Sequence, residues 1–205
     1  MDMKRPSKTA AFAGTAFFAA AVLAAIALSV FGTDTTGLDR SLQASALLAF
    51  ALFWPAYAGN ALKTLFGPAF EPISWRGREF ILAFASAQLV SAGLFVWLMQ
   101  VSVQTPFAHP RFVLFAVGLV WTYVIAAISF RGPAHAIGHG CYRVLRGIGM
   151  EFISFSFLFG FLSHPLHGNL RSLLLYVPLV TVSVLGTLLR FGAWASRGAA
   201  VTKSA

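Results

Sequence analysis

Six apolar stretches, at about 10–32, 43–65, 78–101, 112–130, 144–163 and 172–192, decide what this chain can fold into. A hydrocarbon core about 30 Å thick is crossed by about 20 residues of helix rising 1.5 Å each. Inside lipid every backbone N–H and C=O must find a partner within the chain, which leaves helices for segments of this kind. Hydrophobic residues make up 58% of the 205 and charged ones only 10%. A soluble domain carries about a quarter charged residues. The expected fold is therefore all-α: a polytopic six-transmembrane-helix bundle forming a single membrane domain over 1–205. The first stretch follows MDMKRPSK and runs longer than the roughly 7–15 apolar residues of a signal peptide. No small-residue cleavage site follows it, so it is expected to remain as the first span.

The formal charge of +9 invites a nucleic-acid reading, but its placement argues against one. Lysine and arginine fall in short clusters between the apolar runs, with no basic face or recognition motif. Twelve of them, from Lys4 through Arg143, Arg146 and Arg190 to Lys203, fall on one side of the expected topology, and Arg40, Arg111 and Arg171 fall on the other. This bias predicts that both termini are cytoplasmic. The bilayer is then its first partner. The single cysteine, Cys141, allows no intrachain disulfide and no cysteine-built metal site.

Within the spans, Pro55 and Pro178 each remove a backbone donor and are expected to bend their helices. Ala13, Ala16, Ala20 and Ala24 give the first span a small-residue face suited to close helix contact. Phe155, Phe157, Phe159 and Phe161 alternate in the fifth span and read as packing and lipid-facing material. Trp54, Trp75, Trp97 and Trp121 stand near span ends, where indoles anchor helices at the interface.

Two segments, FWPAYAGNALKTLFGP ending the second span and WRGREFILAFASAQLV opening the third, precede a fourth span, a basic loop and CYRVLRGIGMEFISFSFLF. In this order and spacing, residues 45 to 165 resemble the ferric reductase-like transmembrane domain family. The resemblance implies a six-helix protein of a bacterial inner membrane, with an ancestry in transmembrane electron transfer and another membrane or redox protein as its partner beside the bilayer. Members of that family hold b-type haem between histidines on the third span and on the fourth or fifth. Here the matching stretch of the third span reads Ala87-Gln88-Leu89-Val90-Ser91, and the region from Leu145 to Phe152 offers Arg146 and Glu151. All five histidines, His109, His135, His139, His164 and His167, fall in the expected loops. No cofactor is therefore expected in the core. The resemblance then implies a haem-less relative acting as a membrane subunit, anchor or assembly factor. The alternative is a haem-binding electron-transfer protein using unusual ligands, with His164 and His167 as surface ligands for haem b.

Where the haem would sit, Gln88, Ser91, Thr122, Tyr123, Glu151 and Asn60 reach comparable depths and are expected to form an intramembrane polar layer. Glu151 is expected to face the bundle interior near Gln88, Ser86 or Thr122. Such groups can satisfy one another and fix helix packing. An intramembrane acid can also mark a proton, ion or solute path, which makes a small-solute or ion carrier the second alternative. His135 and His139 stand four apart, a spacing that could help hold a metal on a helix, but Gly132, Pro133, Gly138 and Gly140 favour a loop. No catalytic residue is identified, and any redox activity would need a partner, since the chain contains no flavin- or nucleotide-binding segment.

Overall fold

The structure, a computed structural model, describes residues 5–102, 110–129, 138–163 and 170–202. Seven α-helices and one 3-10 turn account for nearly all of them, and no strand occurs among the described residues. In chain order the helices are α1 (Arg5–Phe31), α2 (Thr35–Phe66), α3 (Glu71–Trp75), α4 (Gly77–Val101), α5 (Pro110–Ser129), α6 (His139–Ser163) and α7 (Leu170–Thr202). Five of the expected spans lie in helices long and apolar enough to cross a membrane: α1, α2, α4, α6 and α7. The sixth, expected at 112–130, corresponds to α5, whose apolar stretch Val113–Ser129 is shorter. Helices α2 and α7 run beyond their expected spans, to 32 and 33 residues. Hydropathy reports only the stretch that suits lipid, whereas a helix continues for as long as its backbone bonds continue.

A tight turn joins α1 to α2. Gly32 adopts φ +87°, a left-handed conformation open to glycine at little cost, and its N–H donates to the Leu28 carbonyl at 2.9 Å. Asp34 then caps α2, its Oδ1 accepting from the Gly37 N–H at 2.9 Å. A side chain on Gly37 would collide with the Gly32 carbonyl, so this turn requires both glycines. At the far end of α2, the 3-10 turn Pro68–Phe70 and short α3 lead into α4, tied back by a Lys63–Glu71 ion pair at 2.7 Å.

Helices α1, α2 and α4 pack closely together. The alanine face of α1 works as its spacing suggests: Ala16, Ala20, Ala24 and Ala27 are buried, while Ala13 is half-buried. Helices α5, α6 and α7 complete the bundle, α5 against α6 and α7 against both α2 and α6. Between α2 and α6 the contact is made by aromatic rings. Phe50 meets Phe157 at 5.4 Å and Phe161 at 5.0 Å, and Phe53 meets Phe157 at 5.7 Å. Phe157 and Phe161, one turn apart, face inward, while Phe155 and Phe159 point outward. Both prolines are accommodated within continuous helices.

Candidate functional site

Of the six polar residues expected in one layer, Gln88 and Thr122 line one cavity and Glu151 and Asn60 a second at the opposite half of the bundle, while Ser91 and Tyr123 line neither. The first, of about 160 Å³, lies where α2, α4, α5, α6 and α7 converge, and Gln88, Thr122, Gln43 and Tyr176 share its wall with leucine, isoleucine and phenylalanine side chains. Gln88 is 5% exposed, and its Oε1 has no hydrogen-bond partner among the described residues. Thr122 returns its hydroxyl to the Gly118 carbonyl of its own helix at 2.8 Å. Gln43 accepts from Tyr176 at 3.2 Å and donates to Asp39 at 2.8 Å, joining α7 to the start of α2. Ser91 is fully buried and shares a hydrogen bond with Ser45 at 2.9 Å, a polar tie between α4 and α2. The Tyr123 hydroxyl is buried without a partner among the described residues.

The second cavity is a vestibule of about 900 Å³ at the end of the bundle where α2 finishes and α6 begins. Glu151 stands in its wall, and its neighbours differ from those expected. Its Oε2 accepts from the Tyr57 hydroxyl at 2.6 Å, and its Oε1 pairs with Arg190 Nε at 2.8 Å. The expectation that Glu151 meets Gln88, Ser86 or Thr122 is corrected on this point: the Ser86 hydroxyl donates to Leu82 of its own helix, and Gln88 and Thr122 line the other cavity. Part of the reason is rotational. Glu151 lies on the α6 face that turns towards α7, whereas Ile153 and Phe157 present the face that fills the core. Asn60, one turn beyond Tyr57 on α2, is exposed and lines the vestibule too.

The seam between α2 and α7 sets this clasp in place. Trp54 Nε1 donates to the Val182 carbonyl at 2.9 Å, and the Tyr57 hydroxyl lies 3.2 Å from Thr187 Oγ1. Gly186 lets the two helices approach, for a Cβ there would stand 3.0 Å from Trp54 Nε1 and 3.2 Å from the Tyr57 ring. Arg190 then lies over that ring at 4.5 Å and donates to the Tyr57 carbonyl at 3.4 Å. Val182, Gly186 and Arg190 follow at steps of four, so a single stripe of α7 makes these contacts. The side chains of Arg190 and Glu151 are 29% and 49% exposed, and Tyr57 is 2% exposed. The arrangement fixes three helices around one carboxylate that still faces open space.

Sequence reasoning passed over Tyr57, Ser45, Thr187 and Arg190 as site residues. For Arg190 the signal was present, because it falls inside the sixth expected span, where a lone cation calls for an anion. His109, His135, His164 and His167 lie outside the described residues, as does the side chain of His139, with which α6 begins. Among the described residues no three of His, Cys, Asp and Glu gather as a metal site. Comparison with protein-family models, with curated proteins and with solved structures finds no match to this chain.

Proposed function

We propose that this chain is a multi-pass protein of a bacterial inner membrane, six spans with both termini cytoplasmic, serving as a haem-less membrane subunit, anchor or assembly factor. The ferric reductase-like ancestry rests on the segments quoted between residues 45 and 165. For the sixth span, α5 contributes 20 residues, about 30 Å of helix, comparable to the hydrocarbon core. The side charge bias of twelve to three supports the orientation.

One observation carries the functional part. At the level where a haem ligand is expected, the cavity beside Gln88 is small, and among the described residues its wall offers no imidazole, thiolate or thioether. Those are the donors, with phenolate, that haem iron takes. Among the described residues Tyr176 is the one phenol in that wall, and its hydroxyl donates to Gln43. The residues present do not fit a bis-histidine haem at this level.

The test is to express the protein with ample haem, purify it in mild detergent, and record oxidised and dithionite-reduced spectra. A flat spectrum is expected. Sharp reduced bands at near-stoichiometric haem, lost in His164→Ala, would return the protein to electron transfer. Blue-native electrophoresis of gently solubilised membranes is expected to show a complex larger than the chain alone; migration as an isolated monomer would end the subunit reading. Reporter fusions at Ala205 and in the 102–110 connection are expected on opposite faces.

A second reading, a small-solute or ion carrier with Glu151 in its path, draws on the two cavities opening at opposite halves of the bundle. On α6, Met150 lines one and Ile153, three residues on, lines the other. Flux into proteoliposomes that falls in Glu151→Gln would favour it over the subunit reading.

A further inference from the structure

Among the described residues, the vestibule holds three guanidiniums, Arg143, Arg146 and Arg190, against a single carboxylate, Glu151. Arg190 is committed to Glu151, to the Tyr57 carbonyl and to the Tyr57 ring. The other two are not. Arg143 and Arg146 are three apart on α6, a spacing that places them on neighbouring rows of one face. Neither has a carboxylate partner among the described residues, and Arg146 makes one long contact, 3.4 Å, to the Tyr142 hydroxyl. Elsewhere at this end of the bundle a cation is matched: Lys63 is paired with Glu71 at 2.7 Å. The positive-inside tendency explains basic residues at this end, but not a 900 Å³ cavity walled by two of them with no carboxylate paired to either among the described residues.

We propose that this vestibule binds a phosphate group, held by Arg143 and Arg146 above the clasp of Glu151, Arg190 and Tyr57. The planar fork of guanidinium matches two phosphate oxygens at once, which a single ammonium cannot do. Asn60, Ser74 and Tyr142 add neutral donors to the same wall. At the rim, Phe191 and Trp194 are exposed and in ring contact at 5.8 Å, offering apolar surface beside the charged wall. That pairing suits the head group of an anionic lipid with its chain lying against the rings, and basic pockets at the cytoplasmic ends of spans bind such head groups. A soluble phosphate ester presents the same oxyanion without the chain. The site requires the membrane reading only, and is independent of whether the protein carries haem.

The test uses the full chain in phosphatidylcholine nanodiscs. One arm adds phosphatidylglycerol and reads bound lipid by native mass spectrometry. The other titrates inorganic phosphate against chloride at constant ionic strength and reads the thermal shift. Arg143→Gln/Arg146→Gln is compared with wild type and with Arg76→Gln/Arg78→Gln, two exposed cations outside the vestibule wall. One probe is expected to bind wild type and the Arg76/Arg78 variant alike, and the Arg143/Arg146 variant at least roughly tenfold more weakly. Success in the lipid arm assigns a head group, and success in the phosphate arm alone assigns a soluble ester. Arg146→Lys, which keeps the charge and loses the fork, is expected to give an intermediate loss and stands in if the double variant fails to fold. Binding of neither probe to wild type, equal loss in both double variants, or unchanged binding in Arg146→Lys and the Arg143/Arg146 variant overturns the site.

Discussion

Replacing Glu151 by leucine removes the carboxylate that joins α6 to α2 and α7, and its cost follows from the two bonds lost. The Tyr57 hydroxyl donates to a charged acceptor at 2.6 Å, a class of bond worth about 1.5–3 kcal/mol. Tyr57 keeps Thr187 at 3.2 Å as a substitute, which returns part of that amount. The Arg190 pair at 2.8 Å has side chains 29% and 49% exposed. It therefore sits between surface pairs, worth about 0–1 kcal/mol, and buried pairs, whose breakage costs about 3–5. A figure of about 2–3 kcal/mol for Glu151→Leu is the expected sum. Arg190→Leu loses the same pair and also the stacking over Tyr57 at 4.5 Å, with a cost of similar size. The double variant buries neither charge alone, so it is expected to recover about 1–2 kcal/mol relative to the sum of the singles. Unfolding in mixed detergent micelles, followed through the five tryptophans, measures all four corners of the cycle. A coupling energy within about 0.5 kcal/mol of zero would show that the two side chains act independently and refute the clasp.

Gly186→Val is expected to destabilise by about 1–3 kcal/mol, since its side chain would enter space held by Trp54 and Tyr57. Gly93→Ala, at an exposed position of α4 with open space around it, is expected to be neutral or stabilising by up to about 1 kcal/mol on the same unfolding assay. Ser91→Ala breaks the Ser45 bond and is expected to cost about 0.6 kcal/mol, the usual size of an interhelical hydrogen bond in a membrane bundle. Gln88→Met removes an unpaired buried carbonyl at little change in shape and is expected to raise stability by about 1 kcal/mol. A loss of that size would mean the amide has a partner in the membrane.

Much of the fold is legible because lipid imposes one rule on every span. The alanine face of α1, for example, could be read from spacing alone, and Ala16, Ala20 and Ala24 are all buried. The site was less legible. Depth along a helix can be counted from its end, which put Gln88, Glu151 and Thr122 at one level, but depth says nothing of rotation. Rotation and depth both separate them: Gln88 and Thr122 line the cavity in one half of the bundle, and Glu151 faces α7 in the other. Arg190 was taken as a marker of orientation, and that use of the residue hid its partner. Ser45 and Tyr57 left no signal in the chain, because a serine or tyrosine in a span is unremarkable until its neighbour is known.

Gln88 and Glu151 look alike as intrusions into apolar helices, yet the bundle treats them in opposite ways. A charge at the middle of a span costs about 2.5–3.5 kcal/mol on insertion scales, and less towards its end, so a lone Glu151 or a lone Arg190 would each weaken its helix by less than that. Brought together at 2.8 Å in the wall of an open vestibule, they cancel locally and keep access to water. The tyrosine between them adds a donor to the acid and an aromatic face to the base. Gln88 has no such relief. Its helix is held from α6 by phenylalanine rings, and Phe84 meets Phe157 at 6.1 Å beside it. Those rings leave a space of about 160 Å³ with few polar groups to share. The consequence is an asymmetry in what each position tolerates. Position 88 should accept apolar residues of similar volume, whereas position 151 should accept them only when residue 190 loses its charge as well.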